Sequence, residues 1–262
     1  MTAPATLDLP RLHSCILRCA ERIQTLRLEW KTGIYPAEMA VFLGMCEYCG
    51  IRSIVESGRG PDAYSTHVLG QYADETGSNV ISLDFAAIEK RKFGYALKKF
   101  SHLQCLTGNV AYLLPKAMKR LQGHVALLVD GPKEERANCL TLCACIHYDI
   151  RLIAHHNAVP EAPWTIELRK MFPGLFHFED LGLESEVQWN QFRNWEREAV
   201  SGYEVKDNRG LTGRSLSSSS LALSVVPSRD SLRSWKTQMK PAPLPFRPWI
   251  LLLIWRILSL FA

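Results

Sequence analysis

Residues 51–84 read IRSIVESGRGPDAYSTHVLGQYADETGSNVISLD, and this stretch decides the fold. A short apolar run ends at Glu56 and leads into a turn that contains Gly58 and Gly60. A segment of helical character follows, and a second apolar run then ends on Asp84. The order is strand, glycine-containing turn, helix, strand and acid. Open α/β sheets use this unit to hold the ribose and adenine end of a nucleotide-like cofactor.

The residues of the turn have physical reasons to be there. Gly58 and Gly60 let the chain turn sharply and leave no side chain between the backbone and a ligand. Pro61 suits the first helical position, where its missing N–H costs nothing. The Asp84 carboxylate can accept hydrogen bonds from both hydroxyls of a ribose. The pattern GxGxxG is incomplete because Ala63 takes the place of the third glycine, so an ordinary strand–helix turn remains an alternative.

Residues 56–60 (ESGRG), followed by Ser65, Thr66 and Asp84, resemble the class I S-adenosylmethionine-dependent methyltransferases over about residues 32–226. The resemblance implies a Rossmann-like, seven-stranded, mostly parallel sheet with helices on both faces and the last strand antiparallel. It implies methylation of a small-molecule or sugar hydroxyl, with S-adenosylmethionine as the cofactor. The residues that would bind this cofactor are Glu56, Gly58, Gly60, Asp84 and, at the adenine ring, Asn109. An alternative role for Asn109 is to cap the helix that follows it.

Length and composition allow one large domain with extensions. The chain has 262 residues, of which 47% are hydrophobic and 22% charged, so it can bury a real core. We predict an N-terminal helical extension over residues 1–31 and a methyltransferase-like domain over residues 32–227. A basic, proline-containing linker over residues 228–248 and an apolar tail over residues 249–262 complete the chain.

Apolar periodicity and turn residues predict the remaining elements of the domain. The predicted helices cover residues 10–30, 37–49, 62–74, 86–100, 110–121, 134–147, 166–172 and 188–200. The predicted strands after Asp84 cover residues 102–107, 125–129, 150–154, 175–179 and 221–226. We expect residues 207–220 to be flexible because they are rich in Gly and Ser.

Polar side chains follow two buried strands at the point where each strand ends. Asp130 comes directly after the apolar run VALLV, and His155, His156 and Asn157 follow the next strand. Because the carboxyl ends of parallel strands meet at one edge of a sheet, we expect these residues to face the substrate. Asp130 and either histidine are therefore the candidate catalytic residues, with a histidine as general base near neutral pH. The alternative is that they cap strand and helix ends.

A divalent metal is left open by the resemblance. Methyltransferases of this class that use a metal carry an acid after the fourth strand and an Asp-Asn pair after the fifth. Asp130 and Asn157 match two of these positions, and His156 replaces the acid of the pair. Histidine is itself a good metal ligand. A metal held by these three residues is one possibility, and a mechanism without metal is the other.

The eight cysteines indicate a reducing compartment. The N-terminal residues lack the features of a signal peptide, so we expect reduced thiols in a cytoplasmic protein. Cys46 and Cys49 have metal-ligand spacing, but no second pair follows and the flanking residues are apolar. Buried thiols are therefore the favoured interpretation over a zinc site.

The net charge of +5 belongs to the C-terminal segment. Residues 228–262 contain six basic residues and one acidic residue, which leaves the rest of the chain formally neutral. A neutral domain argues against nucleic-acid binding. The last fourteen residues, WILLLIWRILSLFA, are too short for a bilayer span, which needs about 20 residues. The favoured interpretation is a helix on a membrane surface, and the alternative is a helix docked on the domain or on a second subunit.

Two other functions remain open from the sequence. The first is a catalytically silent relative that acts as a membrane-tethered interaction module, which the incomplete glycine pattern and the missing acid favour. The second is a nicotinamide-dependent oxidoreductase, which the missing third glycine argues against. We expect a small-molecule or glycan partner and peripheral membrane contact, and the oligomeric state is not predicted.

Overall fold

A computed structural model describes residues 7–26, 28, 33–60, 62–88, 94–200, 221–227, 229–236, 238 and 247–260. The helices are α1 (Leu9–Thr25), α2 (Pro36–Tyr48), α3 (Tyr64–Thr76), α4 (Val110–Met118), α5 (Glu135–His147), α6 (Pro163–Met171), α7 (Val187–Val200), α8 (Arg229–Trp235) and α9 (Pro248–Leu260). The strands are β1 (Ser53–Ser57), β2 (Asn79–Asp84), β3 (Leu103–Thr107), β4 (Val125–Val129), β5 (Ile150–His155), β6 (Phe176–His177) and β7 (Ala222–Val225). Short 3₁₀ helices cover Gly94–Lys99, Phe178–Leu181 and Leu183–Ser185.

Within the described residues, the strands form one seven-stranded sheet in the order β3-β2-β1-β4-β5-β7-β6. The pairs β3-β2, β2-β1, β1-β4 and β4-β5 are parallel, whereas β7 runs antiparallel to both β5 and β6. The predicted fold class is therefore confirmed: a mostly parallel sheet with a reversed last strand. Strand β4, at the centre, is buried along its whole length, as its uninterrupted apolar sequence predicts.

The register of the central strands places their carboxyl ends in one row. Ser57 at the end of β1 pairs with Leu83 of β2 on one side and with Val129 of β4 on the other. Val129 in turn pairs with His155 of β5. The candidate residues that follow these positions are consequently neighbours at a single edge of the sheet, where ligands bind in open α/β folds.

Helices cover both faces of the sheet and enclose two apolar cores. One core lies between the sheet and helices α1, α2, α3 and α7. The other lies between the sheet and helices α4, α5, α6, α8 and α9. Consecutive residues of a strand point into opposite cores, so the side chains of His155 and His156 lie on opposite sides of the sheet.

Several predicted elements differ from the structure. The predicted helix over residues 86–100 is represented by the 3₁₀ helix Gly94–Lys99, and residues 89–93 lie outside the described part. Strand β6 is only two residues long because the next turn is 3₁₀, where the His177 backbone N–H donates to Asp180 Oδ2 at 2.9 Å. Pro61 and the segment 207–220, predicted as helix start and flexible loop, also lie outside the described residues.

The C-terminal segment packs on the domain. Helix α8 lies within the predicted linker and buries Leu232, and helix α9 buries Leu251 and Trp255 in the same core. Among the described residues, no helix is both long enough and apolar enough to cross a membrane. The docked helix was the alternative to a membrane-surface helix, and the structure shows docking for one face of α9.

A single hydrogen bond explains why α9 docks where it does. Pro115 lies inside α4 and has no N–H to donate to the carbonyl of Ala111, four residues earlier. The indole nitrogen of Trp255 donates to that carbonyl oxygen at 2.6 Å, and the Trp255 side chain is fully buried. The proline of one helix therefore creates an acceptor that the tryptophan of another helix satisfies.

Candidate functional site

The turn after β1 is pressed against the end of β4. The carbonyl oxygen of Ser57 accepts hydrogen bonds from the backbone N–H groups of Asp130 and Gly131, each at 2.7 Å. Gly58 has a φ of +93°, and a Cβ atom there would lie 2.6 Å from the Gly131 nitrogen. Only glycine fits this position, because any side chain would collide with backbone atoms that cannot move aside.

Glu56 is buried behind the turn. Its carboxylate accepts hydrogen bonds from the hydroxyl groups of Thr66, at 2.6 Å, of Ser65 and of Ser82. Burial raises the pKa of Glu56, and the three hydroxyl donors only partly oppose that shift. The Glu56 carboxylate thus ties the first turn of α3 to β1 and β2.

Asp84 lies at the mouth of the turn. One carboxylate oxygen accepts from the backbone N–H of Arg59 and the other from that of Ala86, both at 2.7 Å. These bonds fix the orientation of the carboxylate next to the glycine turn. The following residue, Phe85, is 83% exposed. The sequence analysis overlooked Phe85, although its place directly after Asp84 was a usable signal.

The Arg59 side chain is buried and joins the ends of two strands. Its guanidinium donates to the Ser82 hydroxyl at 3.0 Å, to the Ser82 carbonyl at 2.9 Å and to the Ala86 carbonyl at 3.2 Å. It also donates to the carbonyl of Leu106 on β3. Arg59 therefore rigidifies the edge of the sheet beside Asp84, a role that the sequence alone did not indicate.

Ala63 stands in the third glycine position with a φ of +53°, in the left-handed region. This conformation costs an alanine about 1–2 kcal/mol, whereas glycine adopts it freely. We expect Ala63→Gly to raise the free energy of unfolding by about 0.5–1 kcal/mol, since the greater entropy of unfolded glycine offsets part of the gain. Urea denaturation measures this change. Ala73→Gly, within α3, is the matched control and should lower stability by about 1 kcal/mol or more. A loss of stability in Ala63→Gly would contradict the prediction.

Asn109 caps helix α4. Its side-chain oxygen accepts from the backbone N–H of Ala111 at 2.9 Å, which is the alternative that the sequence left open. The structure places Asn109 after β3, whose last residue, Thr107, pairs with Asp84. The residue therefore lies at the end of the neighbouring strand, while its side-chain oxygen serves the helix.

Four charged side chains form a row across the ends of β4 and β5. Asp130 contacts the Lys133 ammonium and accepts from His156 Nδ1 at 2.8 Å. On the far side of the imidazole, Nε2 lies 3.4 Å from Glu38 Oε2, which belongs to helix α2. The same Glu38 oxygen accepts from the Tyr35 backbone N–H at 2.8 Å. Glu38 could not be assigned to the site from the sequence because it lies about ninety residues before Asp130. Lys133 was also missed, although it follows Asp130 within the same turn.

The two carboxylates set the charge of His156. Burial alone would lower the pKa of His156, but Glu38 and Asp130 outweigh burial and raise it above its ordinary value. Burial would likewise raise the pKa of Asp130, and His156 and Lys133 instead hold it below its ordinary value. With His156 protonated, the row alternates ammonium, carboxylate, imidazolium and carboxylate. The raised pKa counts against His156 as a general base near neutral pH, and that role stays a prediction.

His155 points away from this row. Its Nε2 lies 2.8 Å from the Thr141 hydroxyl oxygen in the opposite core, because consecutive residues of β5 face opposite sides of the sheet. Burial lowers the pKa of His155 to about 3, so the ring is neutral. The expectation that both histidines face a substrate is therefore corrected: the structure brings together Asp130 and His156 but excludes His155.

The donor set does not fit a divalent metal ion. Both nitrogens of His156 face carboxylates, and the Lys133 ammonium already contacts Asp130. Asn157, in the left-handed conformation with φ of +63°, directs its amide nitrogen to 3.2 Å from His156 Nδ1. Within the described part of the chain, no three His, Cys, Asp or Glu side chains are arranged to hold a metal. Cys46, one of the two cysteines with metal-ligand spacing, is buried as a free thiol.

Comparisons with known proteins find similar solved structures at low sequence identity. No family model matches the chain, and no curated protein matches it. The chain is similar to an O-methyltransferase from Bacillus cereus solved with S-adenosylhomocysteine (SAH), at 13% identity over 59% of this chain and 76% of that one, with a TM-score of 0.40. It is also similar to the SAH-bound methyltransferase PaMTH1 of Podospora anserina, at 12% identity over 70% and 79% of the two chains, with a TM-score of 0.38.

These identities and TM-scores are too low to transfer an activity. The assignment of the fold comes from the sheet itself, with its parallel core and reversed β7. The chain has a Rossmann-like α/β fold with a seven-stranded, mostly parallel sheet and a reversed last strand, which is the architecture that the resemblance to the class I methyltransferases implies.

Proposed function

We propose that the protein is an S-adenosylmethionine-dependent methyltransferase whose acceptor is a hydroxyl group of a small molecule or a sugar. The observation that carries the proposal is the geometry of Asp84. The Arg59 backbone N–H fixes its carboxylate at the mouth of the turn, and only glycine fits at position 58 of that turn. The class I methyltransferase fold supports it, and so do the SAH complexes of the two similar structures.

The proposal gives each residue of the turn a role toward the cofactor. Gly58 and Gly60 allow close approach of the ligand to the backbone, and Asp84 accepts hydrogen bonds from the ribose hydroxyls. The exposed ring of Phe85 stacks on the adenine. Glu56 acts from behind by holding α3 in place. Asn109 contributes to the adenine end by capping α4.

Bound S-adenosylmethionine supplies an electrophilic methyl group, and the protein has to align the acceptor oxygen and receive one proton. Asp130 is the group we assign to the acceptor, since it is ionised and lies at the end of the central strand next to the glycine turn. Its carboxylate orients the hydroxyl by accepting its hydrogen bond and would receive the hydroxyl proton as the oxygen takes the methyl group. His156 and Lys133 hold Asp130 in place. No step requires a metal in this proposal.

Calorimetric titration of the full chain with SAH tests the cofactor. We expect micromolar binding, with Asp84→Ala weakening it at least tenfold, since a hydrogen bond to a charged group contributes about 1.5–3 kcal/mol. Phe85→Ala should weaken SAH binding by about tenfold through loss of stacking, which contributes about 1–3 kcal/mol per base. Because Phe85 is exposed, its removal leaves the fold unchanged.

NADH is the control ligand for the oxidoreductase alternative, and circular dichroism checks the fold of each variant. If the folded wild-type protein does not bind SAH, the methyltransferase proposal fails. If NADH binds instead and competes at Asp84, the oxidoreductase alternative replaces it.

A catalytically silent, membrane-tethered module is the second candidate function. The observation that favours it is the closed row of charges, in which Asp130 is already engaged by Lys133 and His156. SAH binding, together with no SAH production from S-adenosylmethionine across a panel of catechols, polyols and sugars, would favour this candidate. SAH production that depends on one of these compounds would exclude it.

The proposed partners follow from the same reasoning. The acceptor is a small molecule or a glycan, and the C-terminal segment, residues 228–262, places the protein peripherally on a membrane. The concentration of positive charge in that segment and its exposed apolar residues support this association.

A further inference from the structure

Helix α9 has two apolar faces, and among the described residues only one of them packs on the domain. Leu251 and Trp255 are buried against helices α4 and α5, with the Trp255 indole bonded to Ala111. On the outer face, Trp249, Leu253 and Ile257 are 58%, 53% and 45% exposed. Their spacing of four residues aligns them along the helix. We refer to Trp249, Leu253 and Ile257 as the outer stripe.

Basic side chains are exposed on α9 and on the neighbouring helix α4. Arg256 is exposed on the same helix, next to Ile257. Helix α4, which packs against α9, and the turn after it expose Lys116 and Arg120. The segment 228–262 as a whole has six basic residues and one acidic residue. An apolar stripe on a surface that also carries basic side chains matches the acyl boundary and the phosphates of an anionic bilayer.

A second copy of the chain fits this surface less well. A two-fold symmetric contact through the outer stripe would bring the basic residues of α4 and α9 against the same residues of the partner, and like charges repel. A stable dimer buries about 800 Å² on each partner, which three exposed side chains on one short helix do not provide. A membrane surface has the opposite charge and needs no matching shape.

We propose that the protein lies on anionic membranes through the outer stripe of α9, flanked by Lys116 and Arg120, while the inner face of α9 stays docked on the domain. This inference rests on the membrane association proposed above and specifies its surface. Helix α9 therefore need not leave the domain in order to reach lipid. Trp249 enters the interface, Arg256 extends to the phosphates, and Trp255 keeps its bond to Ala111.

Vesicle flotation with the full-length protein tests the surface. We expect binding to phosphatidylcholine vesicles that contain 30% phosphatidylserine, and at least tenfold weaker binding to phosphatidylcholine alone. The pair Trp249→Ser/Leu253→Ser, and separately Lys116→Glu/Arg120→Glu, should each weaken binding about tenfold. Arg197→Glu, an exposed charge reversal on α7 across the sheet, is the matched control and should change binding less than twofold. Equal binding of all variants, or no binding by the wild type, would overturn the proposal.

Quenching of tryptophan fluorescence by brominated lipid tests the orientation of α9. We expect Trp249→Phe to remove most of the quenching and Trp255→Phe to leave it unchanged. If Trp255→Phe removes the quenching instead, α9 has left the domain and the proposed geometry is wrong. Sedimentation analysis tests whether a second copy of the chain binds the outer stripe. A dimer that Trp249→Ser/Leu253→Ser dissociates would show that the outer stripe binds a second copy and not a membrane.

The outcome is separable from that of the cofactor titration. The outer-stripe variants change no residue of the glycine turn, so their affinity for SAH should equal that of the wild type. Loss of vesicle binding in these variants, with normal SAH binding, would show that the substitutions affect the membrane surface and not the cofactor site. Vesicle binding without SAH binding would support the surface and refute the methyltransferase proposal.

Discussion

Trp255→Ala is expected to lower the free energy of unfolding by about 4–8 kcal/mol, enough to unfold many domains of this size. Truncating a fully buried tryptophan costs about 3–5 kcal/mol through lost burial and the cavity that remains. The carbonyl of Ala111 then also loses its donor, and an unsatisfied buried acceptor costs about 1–3 kcal/mol. Urea denaturation followed by circular dichroism measures the change.

The same helix provides the control. Trp249→Ala removes an identical side chain from the exposed face of α9, and we expect a change of less than about 0.5 kcal/mol. Similar losses of stability in both variants would show that Trp255 is not anchored as described.

A double-mutant cycle isolates the hydrogen bond. Trp255→Phe keeps most of the ring volume but removes the donor, and Pro115→Ala restores an N–H that can satisfy the Ala111 carbonyl within α4. Trp255→Phe should therefore cost about 1–3 kcal/mol in the wild-type background and clearly less in the Pro115→Ala background. Equal costs in the two backgrounds would refute the link between the proline and the tryptophan.

Glu38→Ala is expected to lower the free energy of unfolding by about 3–5 kcal/mol near pH 6, because it leaves a buried, charged imidazolium with one carboxylate instead of two. It also removes the acceptor of the Tyr35 backbone N–H at the start of α2. Glu47→Gln is the control on the same helix. Its partners Arg18 and Arg22 are partly exposed, so we expect a loss below about 1 kcal/mol.

The effect of Glu38 should depend on pH. The pKa of His156 is raised in the folded protein, so the stabilisation by its charge is complete below its unfolded value of about 6.5. That stabilisation is lost as the pH rises through the folded value. The stability difference between wild type and Glu38→Gln, which keeps the shape and removes the charge, should therefore be larger at pH 6 than at pH 9. A difference that is independent of pH would contradict a protonated His156.

Much of the fold was predictable because it depends on local patterns. The apolar run that forms β4 and the glycine turn before α3 are visible in the sequence without long-range information. The reversed strand β7 was predictable only through the resemblance to methyltransferases. The segment over residues 86–100 was predicted less well, since its described end forms the short 3₁₀ helix Gly94–Lys99 in place of an α-helix.

The candidate site was predictable only in part. Parallel strands bring Asp130 and His156 to one edge, and that part of the prediction needs nothing beyond strand order. Consecutive side chains of an extended segment face opposite sides of the sheet, so His155 and His156 were already expected to face opposite cores. That rule alone was enough to exclude His155 from the candidate site. Glu38 could not be found in this way, because the packing of α2 over the strand ends decides its contact with His156. The same holds for Trp255 and Ala111, which are joined across 144 positions of the chain.

The docking of α9 has a consequence for anyone who prepares this protein. Apolar tails are commonly removed before purification, and residues 228–262 look expendable in the sequence. Their removal would uncover the part of the core that Leu232, Leu251 and Trp255 fill, and it would leave the Ala111 carbonyl without its donor. We expect such a shortened protein to aggregate, so a failed ligand titration on it would report damage to the core rather than absence of a cofactor site. Replacing residues of the outer stripe by polar ones is the safer route to a well-behaved sample.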